Sequence, residues 1–275
     1  DDQHRGRRSI DPLHAMGVIV VASVAAVTAS VPAGLSAPAL LLGLQGLLPI
    51  GTVAVTLVLG VAALRRQRRL SGAAIVVAAW AVVLCLPAAT ADDRPAWAAS
   101  APRLTLFAVN IRFDNDRPAQ AITEVLRTDA DVIVVNEVTP ELLDRLRRAG
   151  LERRFPIVSY VRTGGAFGEL VATRRPGSAA GRVRVAGLAI DFNASAWNAP
   201  IRDLLEAGFE DAHDVLGEGL SRSWAPAELH GVGGPLLRLD HALSTKGVRA
   251  VALHGGELAG SDHHSFTVTF AVRQD

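Results

Sequence analysis

Cysteine is almost absent from this chain, and that scarcity excludes two classes at once. The sole thiol, Cys85, leaves no partner for an intrachain disulfide and no cysteine set for a structural zinc. Aromatic residues are also few, at 5%, and the net charge is only +1. From residue 101 onward, 20 basic residues face 22 acidic ones, so the second part is near neutral by itself. It lacks the electropositive excess of a dedicated nucleic-acid binder, which leaves nucleic acid as a partner without support from charge. The histidines lack the tight pairing of a zinc-binding helix. What the chain has in excess is apolar sequence: 49% of its residues, with a mean hydropathy of +0.28, concentrated in the first ninety or so positions.

That concentration divides the chain. An apolar run from Leu13 to Val31 ends at Pro32-Ala33-Gly34, a second runs from Ala39 to Leu64, and a third from Ser71 to about Ala91. Each is long enough to cross a bilayer as a helix, so three spans are expected at 13–31, 39–64 and 71–91. Gln45 is the one polar interruption of note in the second run, and Pro49 is expected to kink it. A secretory signal peptide would account for the first run only. A buried hairpin of a soluble protein fits poorly, because the runs are apolar on every face. The spans carry no charged residue that would mark a transport pathway. Arg5, Arg7 and Arg8 before the first run, and Arg65, Arg66, Arg68 and Arg69 between the second and third, belong on the cytoplasmic side. Three crossings then place everything after residue 91 outside, as in a multi-pass protein of the cell membrane. The chain opens on Asp1 rather than Met, as a trimmed chain would.

Residues 92–101 read as a linker and 102–275 as one soluble domain. There the hydrophobic period changes. Strands are predicted at Arg103 to Asn110, Asp131 to Val138, Pro156 to Val161, Phe167 to Thr173, Val183 to Ile190, Leu236 to Leu243, Val248 to Leu253 and Phe266 to Val272. Helices are predicted at Pro118 to Thr128, from Thr139-Pro140-Glu141 to Gly150, and at Pro200 to Ala207. Many strands with a few helices indicate an α+β layered sandwich.

Polar groups gather at or just past the ends of these strands: Asn110, Glu137, Asp191, Asn193, Asp240, Asp262 and His263. Carboxylate and amide oxygens suit a hard divalent cation, Mg²⁺ or Mn²⁺, whose remaining positions go to water and phosphate oxygens. Asp191 directly follows an apolar strand, where a carboxylate needs a partner. The plainer reading of Asn110 and Asn193 is as turn formers, and of Glu137 as a solvated strand end. His213, His230, His254 and His264 carry no interpretable spacing and are expected in surface loops, and His241 is expected only to pack beside Asp240.

The order Asn110, Asn136-Glu137-Val138, Asp191-Phe192-Asn193-Ala194, Leu239-Asp240-His241 and Ser261-Asp262-His263 resembles the endonuclease/exonuclease/phosphatase superfamily over about residues 102–272. The preceding spans resemble a membrane-anchored subgroup of it. The resemblance implies a deoxyribonuclease I-like sandwich with flanking helices and a metal-dependent phosphoesterase acting on a phosphodiester or phosphomonoester. It implies Glu137 as metal ligand with Asn110 and Asp262 nearby. Asp191 and Asn193 would position water and phosphate. His263 would be a general base or a phosphate-binding imidazolium, oriented by Asp240.

Two departures stand out. Ile190 occupies the position where the family usually has Gly, and there is no histidine between Arg162 and Ile190, where the family places an active-site His on an earlier strand. The stretch looks shortened by one strand–helix unit. A catalytically inactive domain that binds a phosphorylated ligand or a partner at the membrane surface is the alternative these departures support.

Overall fold

The computed structural model describes residues 11–162, 168–174, 188–226 and 234–274, with the side chains of 188–190 excepted. Backbone contacts divide the chain into Asp1–Leu86 and Pro87–Asp275.

The first unit is helical. Helix α1 (Pro12–Ser30) starts at Asp11, whose carboxylate accepts the Leu13 N–H at 3.1 Å, and has proline in its first turn. The second apolar run is broken: α2 (Ala39–Gly46) and α3 (Leu48–Leu64) meet at Leu47 with a bend of 65°. Pro49 lies in the first turn of α3, where its missing N–H costs nothing, so the expected kink is instead a helix boundary. Helix α4 (Arg68–Ala89) follows. Among the described residues two helices, α1 and α4, are therefore long and apolar enough to cross a membrane, with a third span if the bent pair counts as one. Val21, Val24, Val55, Ala62, Leu70 and Ala74 form the contact between α1, α3 and α4. Gln45 is fully buried and donates to the Ser30 hydroxyl at 2.9 Å and the Leu35 carbonyl at 3.0 Å, so the amide interrupting the second run is hydrogen-bonded.

The second unit begins with a short turn, α5 (Trp97–Ser100). The Asp92 N–H donates to the Val215 carbonyl at 3.0 Å, and Arg249 binds Asp92 and Glu210 at 3.2 and 3.0 Å, so residues read as linker lie against the sheet domain. Strand β1 (Arg103–Asn110) leads through α6 (Pro118–Arg127) to β2 (Val132–Val138). These two strands are parallel, and every other strand pairing among the described residues is antiparallel. Helix α7 (Pro140–Ala149) is capped by the Thr139 hydroxyl and stopped by Gly150 at φ 105°, a left-handed terminus that favours glycine. A turn, α8 (Leu151–Arg154), precedes β3 (Ile157–Arg162) and β4 (Gly168–Thr173). Then come β5 (Leu188–Asp191), α9 (Ala199–Glu206), β6 (Glu210–Asp211), α10 (Ala212–Val215), β7 (Asp240–Ser244), β8 (Val248–Gly256) and β9 (Ser265–Val272).

Two sheets result, one of six strands in the order β3-β4-β2-β1-β9-β8 and one of three in the order β5-β7-β6. Alternation along β1 sends Phe107 and Val109 against α6 and α7, and Leu106 and Ala108 into a second core with Ala212, Val215, Ala242 and Phe266. Both faces of the large sheet are thus covered, which is why β1 and β2 read as continuous apolar runs. Most of the predicted strand from Val183 and the proposed loss of a strand–helix unit fall on 175–187, outside the described residues. The strand expected from Leu236 begins only at Asp240; Leu237 instead pairs with Trp224 in an isolated bridge.

Candidate active site

The site lies where β1, β2 and β5 end and β7 begins. In β2 the register against β4 shifts between Val135 and Val138, and Glu137 takes φ 58°. A bulge of this kind re-aims one side chain out of the strand's alternation. Asn110, opposite Asn136 at the end of β1, collects the result: its Nδ2 donates to Glu137 Oε1 at 2.9 Å and to Asp191 Oδ2 at 3.1 Å. Its Oδ1 accepts the N–H of Arg112, itself at φ 62°, at 2.9 Å, and the next N–H, that of Phe113, donates to Glu137 Oε2 at 3.1 Å.

Pairing of β5 with β7 sets Asp191 opposite Asp240, and Ile190 opposite His241 within regular strand. Asp191 Oδ1 accepts the Asn193 N–H at 2.8 Å, and Asn193 has φ 49°. This is an Asx turn closed on a left-handed Asn, a conformation that residue tolerates better than most. His263 bridges the two aspartates, with Nδ1 2.8 Å from Asp240 Oδ2 and Nε2 3.5 Å from Asp191 Oδ2. The Ser261 hydroxyl donates to the Asn110 carbonyl at 2.6 Å and accepts the His263 N–H at 3.0 Å, tying the last loop to β1.

Each candidate residue now has a place. Asn110 joins Glu137 to Asp191, and Asp191, Asp240 and His263 offer ligand atoms that all lie within 4.8 Å of one another. Asp262 is engaged elsewhere, accepting from Trp224 Nε1 at 3.0 Å. Oxygen-rich donors with one imidazole and an amide holding two carboxylates together fit a hard divalent cation. Burial pushes the Asp191 carboxyl up, as does the neighbouring Asp240 charge, against the opposing pull of His263, the Asn193 N–H and Asn110. Burial alone would lower His263, but the hydrogen bond to Asp240 and the charges of Asp240, Asp191 and Asp262 outweigh it and raise the imidazole above its ordinary value.

The sequence model of the Endonuclease/Exonuclease/phosphatase family matches residues 191–263, which run from the first of these carboxylates to the histidine. No curated protein matches the sequence. Among solved members of the endonuclease/exonuclease/phosphatase family, one from Bacteroides vulgatus is 13% identical, with 62% of this chain and 100% of that chain covered and a TM-score of 0.46. A 3′ phosphatase from Neisseria bound to a product DNA hairpin is 14% identical, with 60% and 98% covered and a TM-score of 0.46. The mannosyl-6-phosphatase of Bacteroides thetaiotaomicron is 12% identical, with 61% and 99% covered and a TM-score of 0.43. Likeness at this level says nothing about substrate.

Several residues of this site were not visible in the sequence. Ser223 Oγ accepts the N–H groups of Leu239 and Asp240 at 3.1 and 3.3 Å, and the Trp224 ring lies 6.3 Å from that of His263. More consequential is a buried ion cluster behind β7. Arg238 Nη1 binds Asp211 Oδ2 at 2.5 Å, and Nη2 binds Asp214 Oδ1 at 2.8 Å. His241 Nδ1 lies 2.6 Å and His213 Nδ1 3.2 Å from the same Asp211 carboxylate. His213 and His241 are buried, so the surface loop expected for His213 and the mere packing expected for His241 are both corrected. Burial would raise Asp211, but Arg238, His241 and His213 hold it well below the usual carboxylate range. Burial depresses His213 despite its Asp211 partner. His254 is exposed but lies in β8, paired with Thr267, rather than in the loop expected for it, and His230 lies outside the described residues.

Proposed function

We propose that this protein is a membrane-associated, divalent-metal-dependent phosphoesterase on a deoxyribonuclease I-like fold, and that Asp191, Asn193, Asp240 and His263 carry its chemistry. The observation that supports this most is the convergence of Asp191, Asp240 and His263 at one strand rim, with Glu137 joined to Asp191 through Asn110. Glu137, with Asn110 and Asp262 nearby, would hold Mg²⁺ or Mn²⁺. When bound, that ion supplies charge neutralisation at phosphate and at the leaving oxygen.

The remaining steps belong to side chains. Asp240 takes the Nδ1–H of His263 and so fixes which ring nitrogen faces Asp191. That Nε2 would donate toward a phosphate oxygen, and the Asp240 hydrogen bond and the Asp240, Asp191 and Asp262 charges, working against burial, raise the ring's affinity for its proton. Asp191 and Asn193 orient a water for in-line attack, with the water's proton accepted by Asp191, whose own affinity for it is raised by burial. The histidine that family resemblance calls for between Arg162 and Ile190 is missing. Loss of one preorganised donor of that kind slows turnover by about a hundred- to a thousandfold. The same absence favours the second reading, a non-catalytic domain that binds a phosphorylated ligand at the membrane surface.

For the first unit we propose three spans, counting α2 and α3 as one, with the arginines at 65–69 in the cytoplasm and the sheet domain on the outer side. Protease added to cells with a permeable outer barrier should then digest the region after residue 101, and complete protection would overturn this topology. The catalytic reading is tested with the full chain in detergent, supplied with Mg²⁺ and assayed on bis-nitrophenyl phosphate, plasmid DNA and phospholipid. Slow hydrolysis abolished by chelator is expected. No metal-dependent hydrolysis of any of them would leave the binding domain as the surviving reading.

A further inference from the structure

We propose that His241 is a positioning residue: it anchors the turn carrying Asp191 and Asn193 to the buried ion cluster, and it acts on the reaction only through that turn. The inference rests on the phosphoesterase reading for what the turn does, though not for how the turn is held.

Strand alternation places the neighbours Asp240 and His241 on opposite sides of β7, so one strand serves the site with one residue and the cluster with the next. Asp240 meets His263, and His241, fully buried, points the other way. Its Nε2 lies 2.8 Å from the carbonyl of Ala194, the residue after Asn193. A carbonyl only accepts, so that nitrogen carries a hydrogen. The opposite ring nitrogen lies 2.6 Å from Asp211 Oδ2, and the Phe192 ring stands edge-on at 5.8 Å.

The cluster is a firm base for this contact. Arg238 has four partners: Asp211, Asp214, the Gly219 carbonyl through Nε at 3.1 Å, and His241 Nδ1, 3.1 Å from its Nη1. Asp211 also caps α10 by accepting the His213 N–H at 3.0 Å. The 192–194 segment has two hydrogen-bonded tethers to β7 and the residue before it: the Phe192 N–H to the Leu239 carbonyl at 3.0 Å, and His241 to Ala194. An Asx turn with a left-handed Asn supplies only local order, so loss of the second tether frees the end of the turn nearest Asn193. A displacement of 1 Å in a reacting arrangement is enough to cost about a hundredfold in rate.

The test uses the full chain in detergent with His241→Leu, which fills the space without a donor, and His241→Gln, whose longer amide carries a donor toward Ala194. Hydrogen exchange followed by mass spectrometry should rise in peptides covering 191–198 in His241→Leu and stay at the wild-type level in 103–110. On bis-nitrophenyl phosphate with Mg²⁺, kcat should fall by about a hundredfold with KM little changed, the signature of a lost transition-state arrangement. His241→Gln should recover part of both. Unchanged exchange over 191–198, or an equal rise in 103–110, would overturn the proposal, as would a kcat equal to wild type. If His241→Leu does not fold, His241→Gln set against His241→Asn, whose donor stops short of Ala194, makes the same comparison. If the wild type hydrolyses nothing, the phosphoesterase reading fails by itself, and the exchange contrast still decides whether His241 holds the turn.

Discussion

Strand β7 carries two aspartate–histidine pairs on opposite sides, and they differ in how their charge is balanced. Behind the strand, Asp211 meets His241 at 2.6 Å, and the Arg238 guanidinium and His213 complete the group. In front, Asp240 meets His263 at 2.8 Å, but the surroundings are Asp191 and, through Asn110, Glu137. Among the described residues no arginine bonds to Asp191, Asp240 or Glu137. The same pair of residue types is therefore internally neutralised on one side and left with an excess of negative charge on the other. A compensated buried cluster is architecture; an uncompensated one stores affinity for a cation or for a proton.

The widest separation between the two clusters should come from removing the front one. His263→Ala or Asp191→Ala is expected to abolish metal-dependent hydrolysis, a loss of about 10²–10⁴-fold for a proton-handling group. Activity that survives in both variants would mean that hydrolysis comes from another site or a contaminant.

The rear cluster should answer in stability. Arg238→Met leaves Asp211 buried with its principal counter-charge gone, and destabilisation of about 3–5 kcal/mol is expected in denaturant unfolding followed by tryptophan fluorescence. Asp240→Asn in the front cluster should cost far less, because it removes a carboxylate that repels Asp191. Equal losses in the two variants would erase the contrast.

A cation should distinguish the clusters next. Mg²⁺ at a hundred times its dissociation constant is expected to stabilise the folded chain by about 2.7 kcal/mol, read as a rise in Tm. The rise should vanish in Glu137→Gln and persist in Asp214→Asn. A rise of the same size in Glu137→Gln would remove Glu137 from the metal's ligands.

The smallest effect concerns pH. His213 has a folded pKa below its unfolded value of about 6.5, so its contribution to stability is full above that value and is lost as pH falls through the folded pKa. Stability of the wild type should decline on acidification below about pH 6.5 by up to about 1.4 kcal/mol per pH unit, and less steeply in His213→Gln. Identical slopes would show that the ring is not held neutral.

The front cluster was legible in the sequence because its members lie at or beside the termini of apolar strands. Asn110 after Leu106 to Val109, Glu137 after Val132 to Val135 and His263 before the alternation of β9 all declare themselves by position. The rear cluster had no such signal. Arg238 and Asp211 are 27 residues apart and His241 and Asp211 are 30 apart, so their meeting depends on β6 and β7 pairing, which no local period encodes. Trp224 reaches Asp262 and His263 through an isolated bridge rather than a strand, and it was invisible for the same reason. In the first unit, composition gave the apolar runs correctly but not the break at Leu47, because run length cannot separate one helix from two.

Arg112, Glu137 and Asn193 share left-handed backbone geometry, and each takes part in the hydrogen bonds that frame the site. Strain of this kind costs on the order of 1–3 kcal/mol at each position. Glycine would relieve it at all three; it would keep the backbone N–H donors at 112 and 193 but remove the Glu137 carboxylate and the Asn193 amide. A variant library screened only for heat resistance should therefore enrich glycine at 112, 137 and 193 and return a sturdier, inert protein. Screened for hydrolysis, the same library should reject glycine at 137 and 193, and the distance between the two outcomes would measure how much durability this fold has surrendered to keep its reactive rim.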